Sequence, residues 1–129
     1  MNLNTIIAVA SGGALGASLR LLMHTSISKY TAHTTLPLAT LFINLLGSLL
    51  IGILFAYFHS NTSFPPYVKT FLITGLLGAF TTYSTFAIES FFLLESGHYT
   101  EAFATMALNL FGTIFFAGIG YILMMQLYK

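Results

Sequence analysis

Gly75-Leu76-Leu77-Gly78-Ala79-Phe80-Thr81-Thr82 interrupts an apolar run that extends from Tyr67 to about Leu94. A bilayer core about 30 Å thick needs about 20 apolar residues in one helix, so the run is long enough to cross it. Glycine and threonine at its centre admit two readings. One is a packing face, where small residues let membrane helices approach closely. The other is a helix broken at membrane depth, whose freed carbonyls must be met by protein, water or an ion. Working outward, a first run covers residues 3–23 and gives way to a polar stretch from His24 to Thr35. A second covers 38–58, directly after Pro37, which a helix start tolerates. Turn-forming residues from His59 to Pro66 close it. The third run covers 67–94, Glu95 to Glu101 connects, and a fourth covers 102–127. The chain therefore reads as an all-α membrane protein: a single domain, 1–129, of four transmembrane helices with a break in the third.

Composition supports this and removes most alternatives. Of 129 residues, 57% are hydrophobic and only 5% charged, against about 25% charged in a soluble domain. A net charge of +1 provides no basic field for nucleic acid. Cys, Asp and Trp are absent. His24, His33, His59 and His98 fall at run ends or in connections, with no metal-ligand spacing. No nucleophile–base pair or Gly-rich phosphate loop occurs, so the chain is not expected to be an enzyme. Lys and Arg in short loops set orientation. Here Lys69 and Lys129 lie on one side, Arg20 and Lys29 on the other. With no bias, insertion both ways up is expected.

Polar residues recur at helical spacing inside the runs. Gly12, Gly16 and Arg20 share a face of the first helix, with the glycines suited to close packing and Arg20, near the expected helix end, able to snorkel. Thr40, Asn44 and Ser48 repeat at i+4 in the second helix, and Thr105, Asn109 and Thr113 in the fourth. Alone, Asn44 reads as an interhelical hydrogen bond or a pore group. Together with Thr81-Thr-Tyr-Ser-Thr85, the stripes suggest a polar track without acid or base. Glu89 is the only acid near membrane depth.

Gly12-Gly-Ala-Leu-Gly16…Arg20, Thr40-Leu-Phe-Ile-Asn44-Leu-Leu-Gly47, Gly75-Leu-Leu-Gly78-Ala-Phe-Thr81-Thr-Tyr-Ser-Thr-Phe86 with Glu89, and Asn109-Leu-Phe-Gly112-Thr113 together resemble the CrcB/Fluc fluoride channels over the whole chain. The resemblance implies an antiparallel dual-topology dimer with two fluoride pores in the cytoplasmic (inner) membrane. By the same resemblance Asn44 is a pore asparagine, Tyr83 and Phe86 are the aromatic box, and Ser84 and Thr85 are the hydroxyls between them. Thr113, beside Asn109, is a further pore hydroxyl, and Glu89 lies in a vestibule, as Arg20 would. A structural sodium ion would sit on the backbone carbonyls of Gly78 and Thr81. Two positions depart from the family pattern: Tyr83 stands where Phe is usual, and Ala117 where Thr is usual.

These residue types suit a small, strongly hydrated anion. Asn and hydroxyl groups donate hydrogen bonds without fixed charge. Aromatic rings carry a positive edge, and conduction needs sites weak enough to release the ion. The departures at Tyr83 and Ala117 keep open a partner-dependent or non-conducting subunit of a paired channel. A small multidrug-type exporter would need an acid in the first helix, which has none. From the balanced charge we predict that a cysteine placed at Ser26 reacts with impermeant thiol reagents from both sides of the membrane. One-sided labelling would refute dual insertion.

Overall fold

The computed structural model describes residues 2–129. Among them the architecture is entirely helical, and four segments are long and apolar enough to cross a membrane: Leu3–Thr31, Leu38–Ser60, Pro66–Glu95 and Tyr99–Gln126. We number them α1 (Leu3–Thr31), α2 (Leu38–Ser60), α3 and α4 for the two parts of the third span, and α5 (Tyr99–Gln126). Helix α3 runs from Pro66–Lys69 through π-helical turns at Thr70–Leu77 to Gly78–Phe80, and α4 covers Tyr83–Glu95. Both readings of 75–82 are observed: Gly75 packs closely on α1, and the helix breaks a few residues later. Thr81 (φ −74°, ψ 159°) and Thr82 (φ −148°, ψ 107°) are extended between the two parts.

Helix α1 continues through the polar stretch expected to end it. Its hydroxyls explain this: Thr25 Oγ1 donates to Leu21 O at 2.6 Å and Thr31 Oγ1 to Ile27 O at 3.0 Å. Satisfied on their own preceding turns, they need no water or turn to accommodate them. Lys29 in the last turn also complements the helix dipole. At 29 residues the helix is about 43 Å long, so its end projects past an apolar core of about 30 Å. Arg20 consequently lies well inside the helix rather than at its end. At the other connection, α4 stops at Gly97, whose φ of 80° is left-handed. The N–H of His98 reaches Leu93 O and that of Gly97 reaches Leu94 O, closing the helix end.

Close backbone contacts organise the bundle into two pairs. Between α1 and α3, Gly12 lies against Phe71 O and Gly16 against Leu76 O, while a Cβ on Gly75 would stand 2.9 Å from Val9 O. Between α2 and α5, Gly52 lies against Ala117 O and Gly120 against Leu49 O. Small residues thus let main chains touch, the usual source of cohesion where lipid removes the hydrophobic drive between helices. The pairs meet around buried Ile43, Leu77 and Phe80. Gly47 also receives the Thr81 methyl there, so the break in the third span lies where the two pairs join.

A side chain at Gly16 would collide with the Leu76 carbonyl, whereas one at Gly118 meets nothing within 4 Å. Gly16→Val should therefore destabilise the fold by about 1–3 kcal/mol, the usual range for overpacking, and Gly118→Ala should be close to neutral. Thermal unfolding in detergent reads both. Equal midpoints for the two variants would contradict the close α1–α3 packing.

Candidate functional site: a broken helix beside a neutral groove

The break is held by Asn44 of α2. Its Oδ1 accepts the Thr82 N–H at 2.9 Å, and its Nδ2 donates to Thr82 O at 3.1 Å. One amide side chain thus satisfies both backbone groups of an extended residue at membrane depth. The second Nδ2 hydrogen goes to Asn109 Oδ1 of α5 at 2.9 Å, and Asn109 Nδ2 donates to Thr105 O at 3.0 Å. Both asparagines are buried. Thr82 Oγ1 then caps α4 by accepting the Thr85 N–H at 3.2 Å, and donates to Thr85 Oγ1 at 2.8 Å.

The break releases carbonyls of the preceding turn, Gly78 O and Thr81 O among them. In a continuous helix Thr82 N–H would reach Gly78 O and Thr85 N–H would reach Thr81 O. Both donors are diverted, the first to Asn44 and the second to Thr82 Oγ1. Thr81 O instead accepts from Arg20 Nη1 at 3.4 Å. Gly78 is exposed on the outside of the single chain. Gly78 O and Thr81 O, on which the resemblance implies a cation, are thus both without their helical donors, and Arg20 faces Thr81 O.

Beside the break, α2, α4 and α5 enclose a groove of about 660 Å³ that is open along one side. It gathers Asn44, Thr81, Tyr83, Phe86, Asn109 and Thr113 from the expected set. No Asp, Glu, Lys, Arg or His lines it. The rings of Tyr83 and Phe86 meet edge to face, with centroids 5.4 Å apart and planes at 72°. Thr113 Oγ1 donates back to Asn109 O at 2.5 Å, which commits its hydroxyl hydrogen to its own helix.

Other expected residues lie elsewhere. Ser84 is exposed and outside the groove lining, and Thr85 is occupied by Thr82. Both follow from the turn at 81–82, which starts α4 with Tyr83 and Phe86 toward the groove and turns the intervening residues away. Glu89 borders a separate recess of about 290 Å³ with Thr35 and His98. Its Oε1 accepts from Thr40 Oγ1 at 2.8 Å and lies 3.8 Å from His24 Nε2. His24, read from sequence as a solvated end residue, is carried there by the extension of α1. Ala117 does not line the groove; it packs through its carbonyl on Gly52. Of the polar groove residues, Ser90 escaped the sequence reading, while Ser48 and Thr82, read as part of the polar track, were given no separate role in the site. A threonine directly before an apolar helical run is an N-cap signal, and it would have located the start of α4.

A broken membrane span, glycine-packed helix pairs and a neutral polar groove define a multi-pass membrane protein with a lateral polar path. Residues 7–121 match the family described as "CrcB-like protein, Camphor Resistance (CrcB)". A protein of Sulfurimonas denitrificans named "Fluoride-specific ion channel FluC" is 53% identical over 121 residues, covering 94% of this chain and 93% of its own. Proteins of the same name from Campylobacter jejuni and Aquifex aeolicus are each 42% identical, covering 94% of this chain and 98% and 97% of their own. The chain belongs to the CrcB family.

Replacing Asn44 by Leu would leave the Thr82 N–H and C=O unpaired in a buried place. Each unmade bond costs about 1–3 kcal/mol, so Asn44→Leu should lose at least about 2 kcal/mol of stability. The check is thermal unfolding in detergent. An unchanged midpoint would mean that the break does not depend on Asn44.

Proposed function

We propose that the chain is a fluoride-selective channel that lets fluoride leave the cell passively across the cytoplasmic membrane, relieving its toxicity. The observation that carries this reading is the neutral groove, lined by amide, hydroxyl and aromatic groups with no fixed charge. The names of the relatives supply the ion. Asn44 provides a donor through the N–H it gives to Asn109, and Phe86 and Tyr83 provide ring edges that favour an anion while excluding water. A fixed cation in the narrow part would hold the ion; its absence favours passage.

The working unit in this proposal is an antiparallel pair of chains, with one groove of each chain covered by the other to make two pores. Support comes from the break. Gly78 O has lost its helical donor and Gly78 is exposed. An unsatisfied carbonyl in hydrocarbon costs several kcal/mol, so that face requires protein cover. Inverted pairing of chains that insert both ways up supplies it.

A structural sodium ion on the Gly78 and Thr81 carbonyls of both chains belongs to the same reading. Neutral oxygens released from a helix ladder suit a hard cation, and the ion would add a positive charge midway along the path. Thr81 O has a second lone pair beyond the one Arg20 takes. Exchanging sodium for a large organic cation should lower both the thermal midpoint and the flux of the purified protein. If neither changes, the carbonyls hold no sodium.

The test of function is fluoride efflux from liposomes containing only this chain. Wild-type protein should release fluoride. Phe86→Ile, which keeps bulk but loses the ring edge, should slow release about tenfold, equivalent to about 1.4 kcal/mol at the barrier. Tyr83→Phe should leave it equal or faster if the hydroxyl only narrows the path. No release by wild type would favour a subunit that conducts only with a partner chain. Proton flux driven by a cationic substrate would instead return the exporter reading.

A further inference from the structure

The amide of Asn44 is fully committed in this conformation. Its oxygen and one N–H hold Thr82, and its second N–H is taken by Asn109 Oδ1 at 2.9 Å. Yet Asn44 lines the groove, and Asn109 lines it beside Asn44. Of the three bonds, the two to Thr82 cannot be released without leaving the broken helix unsatisfied. The bond to Asn109 can be, because giving it up leaves the backbone intact.

We infer that Asn109 sets the affinity of the groove for its anion: its side-chain carbonyl occupies the one Asn44 N–H that an anion can take, and the ion must displace it. The inference rests on the fluoride reading. Asn109 suits the role because its own orientation is fixed from behind. Its Nδ2 donates to Thr105 O at 3.0 Å, one turn earlier on the same helix. That bond aims the Asn109 carbonyl at Asn44 instead of letting the amide turn over. It lies at the π-helical turn Leu108–Gly112, where α5 departs from regular α geometry.

The carbonyl therefore behaves as a resident acceptor. While the groove is empty it satisfies a buried donor that would otherwise be unpaired. When an anion arrives, the N–H exchanges one acceptor for another, so the donor is never bare. The exchange weakens net binding by the strength of the bond given up, which favours release over capture.

The test uses the purified chain in liposomes, with fluoride efflux measured over a range of internal fluoride. Asn109→Ala removes the competing acceptor, and half-saturation should fall about three- to tenfold, the span expected for one ordinary hydrogen bond. Asn109→Asp keeps an acceptor and makes it anionic and stronger, so half-saturation should rise. Asn109→Ser, too short to reach Asn44, replaces the alanine variant if that one does not fold. A role limited to structure would lower maximal flux in each variant without moving half-saturation, and that result overturns the inference. So does a shift in the same direction for Ala and Asp. Wild-type protein that releases no fluoride would remove the functional reading itself; saturable wild-type efflux with unmoved variants removes the inference alone.

Discussion

A helix can stop inside a bilayer only if every amide and carbonyl it frees finds a partner. The hydrogen bonds of Asn44 to both backbone groups of Thr82 meet part of that demand, and much of the molecule is arranged around them. They require α2 to pass close to the third span, and Gly47, which receives the Thr81 methyl, allows it. They also fix where α4 begins, through the Thr82 hydroxyl, and hence which residues of α4 turn toward α2 and α5. The neutral groove beside the break is a product of the same turn, since Tyr83 and Phe86 are the first residues α4 directs into it.

The glycines act on a different term. Membrane helices gain little from hiding apolar surface in one another, because lipid is equally apolar. Backbone contact, as at Gly12, Gly16 and Gly75 on one side and Gly52 and Gly120 on the other, provides dispersion and shape instead. Two close-packed pairs result, and the extended backbone at Thr81 and Thr82 lies at the seam between them. That separation lets one part of the chain be close-packed and another keep a polar path open.

Much of this was legible in the sequence. Four runs, the interrupted third, the glycine faces and the stripe from Asn44 to Asn109 and Thr113 could all be read, because hydropathy and i+4 spacing are local properties. What periodicity could not reveal was which polar groups pay off one another's hydrogen bonds. Asn44 was legible as a donor, but its commitment to Thr82 and Asn109 depends on three elements meeting. Ser84 and Thr85 looked equivalent to their neighbours until two extended residues set the rotation of α4. The polar end of α1 resembled a loop, since Thr25 and Thr31 hide their hydroxyls on their own turns. His24 reaches Glu89 for that reason alone.

The groove holds no carboxylate, amine, guanidinium or imidazole, so no fixed acid or base lines it to carry charge in step with an anion. An ion following it would be moved only by its own concentration difference and by the membrane potential. Moving one elementary charge across 100 mV is worth about 2.3 kcal/mol. With the interior negative, that alone would hold an anion inside at about one-fiftieth of its external level, taking about 1.4 kcal/mol for each factor of ten. A cell would need no ATP and no coupled gradient for this path to keep such an anion dilute, provided that the path refused the commoner anions that share the same voltage.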